Sequence, residues 1–528
     1  MKITKRFFLL VLFLAPLLPS EDWIPDLGNG QYKNPVIYAD YSDPDVIRVG
    51  DNFYMTSSSF NCFPALPILH SKDLVNWTII NHAVKSWPND YFDVPQHGNG
   101  VWAPSFRYHD GYYWIFYGDP DQGIFMVKTK DVTAEWDPPI LVKKAKGWID
   151  PSPLWDDDGN AYLVHAFAKS RAGVNSILHV NRMSPDGTRL LDEGTLVFDG
   201  HENHPTIEGP KFYKINGYYY IFAPAGGVTP GWQTVLRSKN VFGPYEDKIV
   251  LAQGDTPING PHQGGYIELE NGEGWFVHFQ DLDPYGRITH LQPVVWKDGW
   301  PVMGVDEDDD GTGEPVLRHE KPDVDANVLI TIPQTTDEFA GDALGPQWQW
   351  HANPKKKWHD VEDGALKLYS QPMPEDAENL WLVPNMLLQK FPAPNFSATA
   401  QITFEPQSIG EKIALIIMGL DYAYVALTKT ENGLSILQAS CREAENGAPE
   451  NVHESLPIKN EIVYLKVKVV APGVCTFFCS QDGDTFTPIG KKFPAQPGKW
   501  IGAKVGLVAV APAEEKAGHA AIDYIRIK

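Results

Sequence analysis

The sequence predicts an all-β chain, a five-bladed β-propeller followed by a β-sandwich. Three observations carry that expectation. First, one phrase recurs through the first 300 residues: a turn with Gly, Asn or Asp runs into an aromatic-rich apolar strand. The copies are GDNFYMTSS from Gly50, DGYYWIFYG from Asp110, DGNAYLVHA from Asp158, NGYYYIFAP from Asn216 and NGEGWFVHF from Asn271. With Tyr54, Tyr113, Tyr162, Tyr219 and Trp275 as markers, the steps run from 49 to 59 residues. Units of this length, rich in short strands, cannot bury both faces alone, and radial packing around an axis solves that. Second, 45 Gly, 44 Pro and 64 aromatic residues (17 Trp, 22 Tyr, 25 Phe) give the turns and flat apolar surface of short strands. Third, the last 200 residues alternate at period two, as in SATAQITF from Ser397 and VYLKVKVV from Val463, and no long amphipathic helix interrupts either half.

The elements follow in order. Lys2, Lys5 and Arg6 precede an apolar run, Phe7 to Leu18, of signal-peptide length and too short for an ordinary membrane span. Residues 1–20 are therefore expected to be an export signal, and the mature protein to be periplasmic or secreted. Residues 21–304 are expected to form the propeller. Outer strands are marked by HSKDLVNW from His70, KTKDVTAEW from Lys128 and RSKNVFGPY from Arg237. Residues 305–334, acidic and rich in Gly and Pro, read as a solvated linker. Asp306, Asp308, Asp310 and Gly311 mimic the start of a calcium-binding loop, but Leu317 stands where its last acidic ligand belongs. Residues 335–528 are expected to form a sandwich of two antiparallel sheets.

Charge and cysteine content exclude more than they identify. A net charge of −23 repels nucleic acid and anionic membrane surfaces and tolerates a neutral ligand. The four cysteines, Cys62, Cys441, Cys475 and Cys479, form neither a disulfide framework nor a zinc pattern. Cys475 and Cys479 on one strand would stand ~13 Å apart, too far to bridge.

Three acidic residues carry candidate chemistry. Asp43 lies in YADYSDPDVIRV, Asp150 in GWIDPSPLWDDDG and Glu208 in HPTIEGPKFYKINGYYY. Each stands beside Pro or Gly, shortly before a blade's aromatic strand. Equivalent positions in different blades point at one axis, so the three would converge on one pocket. Glycoside cleavage needs such a set: an acid for the leaving oxygen, and a base for water on the opposite side. In inverting enzymes these stand ~6.5–9.5 Å apart. A third carboxylate raises the pKa of the acid. Asp45 and the run Asp156–Asp158 read as turn formers.

NPVIYADYSDPDVIRVGDNFY, GVWAPSFRYHDGYYWIFY, GWIDPSPLWDDDGNAYL, TIEGPKFYKINGYYYIF and HLQPVVWKDGWPV resemble, in order, the signatures of glycoside hydrolase family 43. DEFAGDALGPQWQWHANP from Asp337 resembles the β-sandwich appended to its β-xylosidase-type members. The resemblance implies an inverting mechanism with Asp43 as general base, Asp150 as pKa modulator and Glu208 as general acid. It implies that Trp102 and Phe60 wall a pentose pocket and that Arg287 helps hold the sugar or the acid. It implies that His262 can face a calcium ion through water, a structural or electrostatic ion, no cofactor being required for the chemistry. The expected partner is a hemicellulose-derived oligosaccharide, with no nucleic acid and no membrane span. Release of terminal α-L-arabinofuranose from xyloglucan or arabinoxylan side chains is expected. A β-1,4-xylosidase and a non-catalytic carbohydrate-binding propeller are the alternatives. A loop from the sandwich could close the pocket and favour release of end units.

Overall fold

Each of the five repeated phrases becomes the second strand of a blade. The structure, a computed structural model, describes residues 22–324, 328–460, 462–512 and 517–528; the expected export signal lies outside them. Blade I comprises Asp45–Val49, Asn52–Thr56, Ala65–Ser71 and Trp77–Val84. Blade II comprises Trp102–His109, Tyr112–Asp119, Gly123–Thr129 and Ile140–Lys144. Blade III comprises Trp148–Trp155, Ala161–Phe167, Ile177–Met183 and Thr195–Asp199. Blade IV comprises Lys211–Ile215, Tyr218–Ala225, Trp232–Ser238 and Glu246–Leu251. Blade V takes His262–Glu268, Gly274–Asp281 and Arg287–Lys297 from the end of the domain and Ile37–Asp40 from its beginning. That early strand pairs antiparallel with Arg287–Lys297 and closes the ring.

The apolar seams between blades are what the aromatic strands were selected to fill. Between blades I and II, Tyr54 meets Tyr113 edge-on at 5.5 Å, and Ile115, Tyr117 and Phe106 are fully buried beside them. Each large buried side chain contributes about 1.5–3 kcal/mol of transfer free energy, so neighbouring blades hold one another in place.

The second domain is a sandwich of two eight-stranded sheets. Its period-two segments point as their alternation requires: along Ile462–Val470, Val463, Leu465, Val467 and Val469 face the inter-sheet core. In the other sheet, the strand Tyr422–Thr430 is buried on both faces up to Thr428. There the segment containing Leu380, Trp381 and Val383 covers the outer side.

The acidic connection does not run free. Val305 and Glu314 exchange backbone hydrogen bonds, Gly313 bonds to Val250 and Ala252, and Arg318–Glu320 pairs with Gln31–Lys33. Its exposed tip carries Asp308, Asp309 and Asp310. Asp306, Asp308 and Asp310 cluster there, with the Lys297 ammonium bridging Asp306 and Asp309 at 2.8 and 2.7 Å.

The domains are joined by backbone as well as side chains. Phe63 and Trp350 exchange hydrogen bonds across the joint, and Asn353 caps both polar groups of the Trp87 backbone. Gly502 donates to Asp40 at 3.0 Å, and Ala503 to the Pro284 carbonyl at 2.7 Å. No helix among the described residues is long and apolar enough to cross a membrane.

Candidate active site

All five inner strands begin with one backbone device. A residue in the left-handed region precedes a proline, or in blade V a glycine: Asp43-Pro44, Ala103-Pro104, Asp150-Pro151, Gly209-Pro210 and Gln263-Gly264. Their φ values are 53°, 30°, 56°, 58° and 42°. Four of the five carry a Cβ, and such positions cost about 1–3 kcal/mol each unless the surroundings over-determine them. In blades II, III and V the strand register shifts at this point. A bulge of this kind re-aims side chains.

The device creates two tiers. Most residues at the left-handed position, and most of those just before it, line one pocket. Asp43, Trp102, Ala103, Ile149, Asp150, Glu208 and Gln263 are among its walls. The expectation that the three carboxylates occupy one equivalent position needs correcting. Asp43 and Asp150 do so, whereas Glu208 stands one residue earlier, at the position held by Trp102 in blade II and His262 in blade V.

The residue two places beyond the left-handed one lies deeper. Asp45, Ser105, Ser152 and Lys211 are all fully buried there. Asp45 accepts from Arg107 Nη1 at 2.7 Å and from the Phe106 amide at 2.8 Å. Arg107 continues to Ser152 Oγ at 2.8 Å, and Lys211 Nζ to Ser105 Oγ and the Pro104 carbonyl. Asp45 is therefore not a turn former, as its Asp-Pro-Asp setting suggested. It anchors a charged plug that ties blades I to IV beneath the pocket. Of the other residues read as turn formers, Asp156 does accept within its turn, from the Asp157 amide, and also binds Lys214 and Tyr219.

The three carboxylates have unlike environments. Asp43 is buried and fully engaged: Oδ2 accepts from Ser58 Oγ at 2.6 Å and Oδ1 from Arg287 Nη1 at 3.0 Å. Ser58 is held in turn by the Ala103 amide at 2.7 Å. Asp150 accepts from the Gly209 amide at 2.7 Å, so the residue after Glu208 is fixed by Asp150 itself. Burial drives the Asp150 pKa up, the Asp43 charge adds to the rise, and the Gly209 amide opposes it. Glu208 is also raised, by burial first and then by the negative charges of Asp150 and Asp43, with Arg287 opposing. Its side chain still opens to the pocket, with 34% of its surface accessible. The pair Asp150–Glu208 thus retains a proton at pH values where free carboxylates have lost theirs.

The pocket has a volume of about 180 Å³, the room of roughly six waters, which suits one small sugar ring. Phe60 and Trp102 meet edge-on at 6.2 Å on one side. Arg287 lies under Phe279, 4.9 Å from the ring centroid, and reaches the pocket beside Asp43. Its ion pair is with Asp43 rather than Glu208. His262 lies behind the wall, with Nε2 3.7 Å from Glu208 Oε1. Burial holds its pKa down to about 3, so the ring is neutral. Both its nitrogens are buried without a hydrogen-bond partner. A water-held cation there would satisfy one of them.

One wall comes from the other domain. Trp500, on a turn between Gly498 and Gly502 of the sandwich, lines the pocket, 6.3 Å from Trp102 and 5.8 Å from the Arg287 guanidinium. Sequence reading expected a loop from the sandwich but not this residue; its one local signal is a large aromatic in a glycine-flanked turn. Ser58 was missed as well, because nothing in the run Ser57–Ser59 singles out one hydroxyl.

Known proteins resemble this chain over nearly its whole length. The family profile for glycosyl hydrolases family 43 matches residues 32–301. The chain belongs to this family. Residues 336–528 match the concanavalin A-like C-terminal domain of β-xylosidases. A Xylanibacter ruminicola protein, named provisionally as a β-xylosidase, is 38% identical over 91% of this chain and 86% of its own length. A Formosa agariphila β-xylosidase is 31% identical over 94% of this chain and 90% of its own. A Bacteroides ovatus non-reducing-end α-L-arabinofuranosidase is 28% identical, covering 84% of each chain. Among solved structures, a Bacteroides ovatus family 43 protein from a xyloglucan locus superposes with a TM-score of 0.81 at 26% identity, covering 94% of this chain and 99% of its own. The family 43 member described here is thus a glycosidase acting on carbohydrate.

Proposed function

We propose that this family 43 glycosidase is an exo-acting, inverting β-D-xylosidase that removes single non-reducing-end xylose units from hemicellulose-derived oligosaccharides. The observation that carries this reading is the convergence of carboxylates from blades I, III and IV on a one-sugar pocket walled by Trp500. Such a pocket suits an end unit, and the two relatives of highest identity described above carry β-xylosidase names. The Bacteroides ovatus relative supports a second reading, release of α-L-arabinofuranose.

In this mechanism the sugar enters with its apolar face on Phe60 and Trp102. Glu208, protonated because partial desolvation and the Asp150 charge disfavour its ionised form, gives its proton to the glycosidic oxygen as the bond to the anomeric carbon breaks. Asp43, aimed by Ser58 and Arg287, takes a proton from the water that attacks the opposite face of that carbon. Asp150 holds the backbone next to Glu208 through the Gly209 amide, and its charge keeps the acid protonated. A calcium ion held through water at His262 would add positive charge behind Glu208 without entering the chemistry.

The test is nitrophenol release from the β-D-xylopyranoside and the α-L-arabinofuranoside, side by side, with the anomer of the first-formed sugar followed by NMR. Preference for the xyloside with an inverted product is expected. Preference for the arabinofuranoside selects the second reading, a retained anomer removes the assignment of Asp43 as base, and no turnover on these or on xylobiose overturns both readings of the substrate.

A further inference from the structure

Cys62 and Lys504 make a contact that the catalytic site does not use. Lys504 Nζ lies 3.1 Å from Cys62 Sγ and 3.3 Å from Gln349 Oε1. Both residues are almost completely inaccessible, at 3% and 1% exposure. The side-chain partners given to the Lys504 ammonium among the described residues are this thiol and this amide oxygen, neither of them a carboxylate, which is unusual for a buried amine. A second lysine, the half-buried Lys390, has its pKa lowered by desolvation and then by the nearby charge of Lys504. The sulfur is thus the softest and most oxidisable of the groups touching this amine.

The place of the contact gives it meaning. Cys62 belongs to the blade I loop and lies two residues beyond Phe60, a pocket wall. Lys504 opens the sandwich strand Lys504–Ala511, four residues beyond Trp500, the wall contributed by the other domain. One bond between them would tie both walls together across the domain joint.

We propose that Cys62 and Lys504 form an oxidative modification site, at which a peroxide converts the contact into a covalent sulfur–nitrogen bond between propeller and sandwich. In the first step Cys62 Sγ attacks the O–O bond of hydrogen peroxide, giving a sulfenic acid and one water. In the second, Lys504 Nζ attacks that sulfur: the S–N bond forms, the S–O bond breaks, and the departing hydroxyl leaves as a second water with a proton from the nitrogen. Sulfur loses two electrons and the peroxide gains them, so one thiol, one amine and one peroxide give one linked pair and two waters. A thiol reverses the link by attacking the sulfur and releasing the amine. The 3.1 Å approach places the nitrogen where it meets the sulfenic acid before a second peroxide can, so the oxidation is held at a reversible stage.

The test is exposure of the purified full-length protein to graded hydrogen peroxide, followed by proteolysis and mass mapping without reductant. The expected product is a linked pair of peptides containing Cys62 and Lys504, lighter by two hydrogens than their sum and separated by dithiothreitol. It should be absent from Cys62→Ala and from Lys504→Met. Cys62 recovered as sulfinic acid on an unlinked peptide, or recovered unmodified after the half-buried Met373 has oxidised, overturns the proposal. The wild-type map decides the matter alone if either variant fails to fold.

Discussion

Glu208 and Asp150 keep a proton because ionising both would place two negative charges in a buried space already holding Asp43. The raised pKa values have two consequences of defined sign. For catalysis, activity is present while the pair holds its proton and falls as pH rises through its titration, so Glu208 governs the alkaline limb of a bell-shaped profile. Glu208→Gln is expected to lower kcat on xylobiose about 10²–10⁴-fold and to abolish that limb. The loss should be smaller on a nitrophenyl substrate, whose leaving group needs less protonation. For stability, the folded state retains a proton that the unfolded chain releases above the ordinary carboxylate range, so stability declines as pH rises through that interval. The amide removes this penalty. Melting of Glu208→Gln is therefore expected about 1–4 °C above wild type at pH 8, with a smaller difference at pH 5. An equal shift at both pH values would assign the change to packing rather than charge.

The blade's inner strand is the element that turns sequence into a site. Its outer features were legible: Tyr54, Tyr113, Tyr162, Tyr219 and Trp275 all fall on second strands, because a turn residue followed by alternating aromatics leaves little other choice. The left-handed start of each inner strand was not legible. Pro44, Pro104, Pro151 and Pro210 mark a stop in the pattern, but an Asp before Pro reads equally well as an ordinary turn. Only the ring shows that Asp43 and Asp150 share one position, that Glu208 sits one earlier, and that Asp45 belongs to the buried plug. The device makes a prediction at Gly209, whose φ is +58° and whose added Cβ would lie 2.7 Å from the Gln263 side chain. Gly209→Ala should shift Glu208 and release the amide held by Asp150, lowering kcat at least about tenfold, equivalent to about 1.4 kcal/mol of barrier. Gly217→Ala supplies the control: its φ is +75° but the space around it is open. That variant should lose about 1 kcal/mol of stability and keep its kcat. If both variants keep kcat, the inner-strand conformation does not position the acid.

At the scale of the molecule, the sandwich completes the pocket that the propeller begins. The glycine-flanked turn around Trp500 does not say what the residue will face, because it acquires its neighbours only when Asp40 binds Gly502 and Pro284 binds Ala503 across the joint. The chain distance from Trp102 is large, and no local periodicity encodes which turn of a sandwich will face a propeller. The consequence can be isolated, since Trp500 remains 54% exposed and contributes little to either core. Trp500→Ala should leave the melting temperature nearly unchanged while widening the pocket mouth. A lost aromatic contact of about 1–2 kcal/mol corresponds to roughly a 5–30-fold fall in kcat/KM, and it should appear chiefly in KM, because the carboxylates are untouched. The same opening should relax the restriction to end units, so that the ratio of rates on longer xylo-oligosaccharides to that on xylobiose rises. Steady-state kinetics on a series of chain lengths separates the outcomes. A fall in kcat with KM unchanged would mean that Trp500 orders the carboxylates rather than the sugar, and an unchanged chain-length ratio would place the limit on chain entry in the propeller loops.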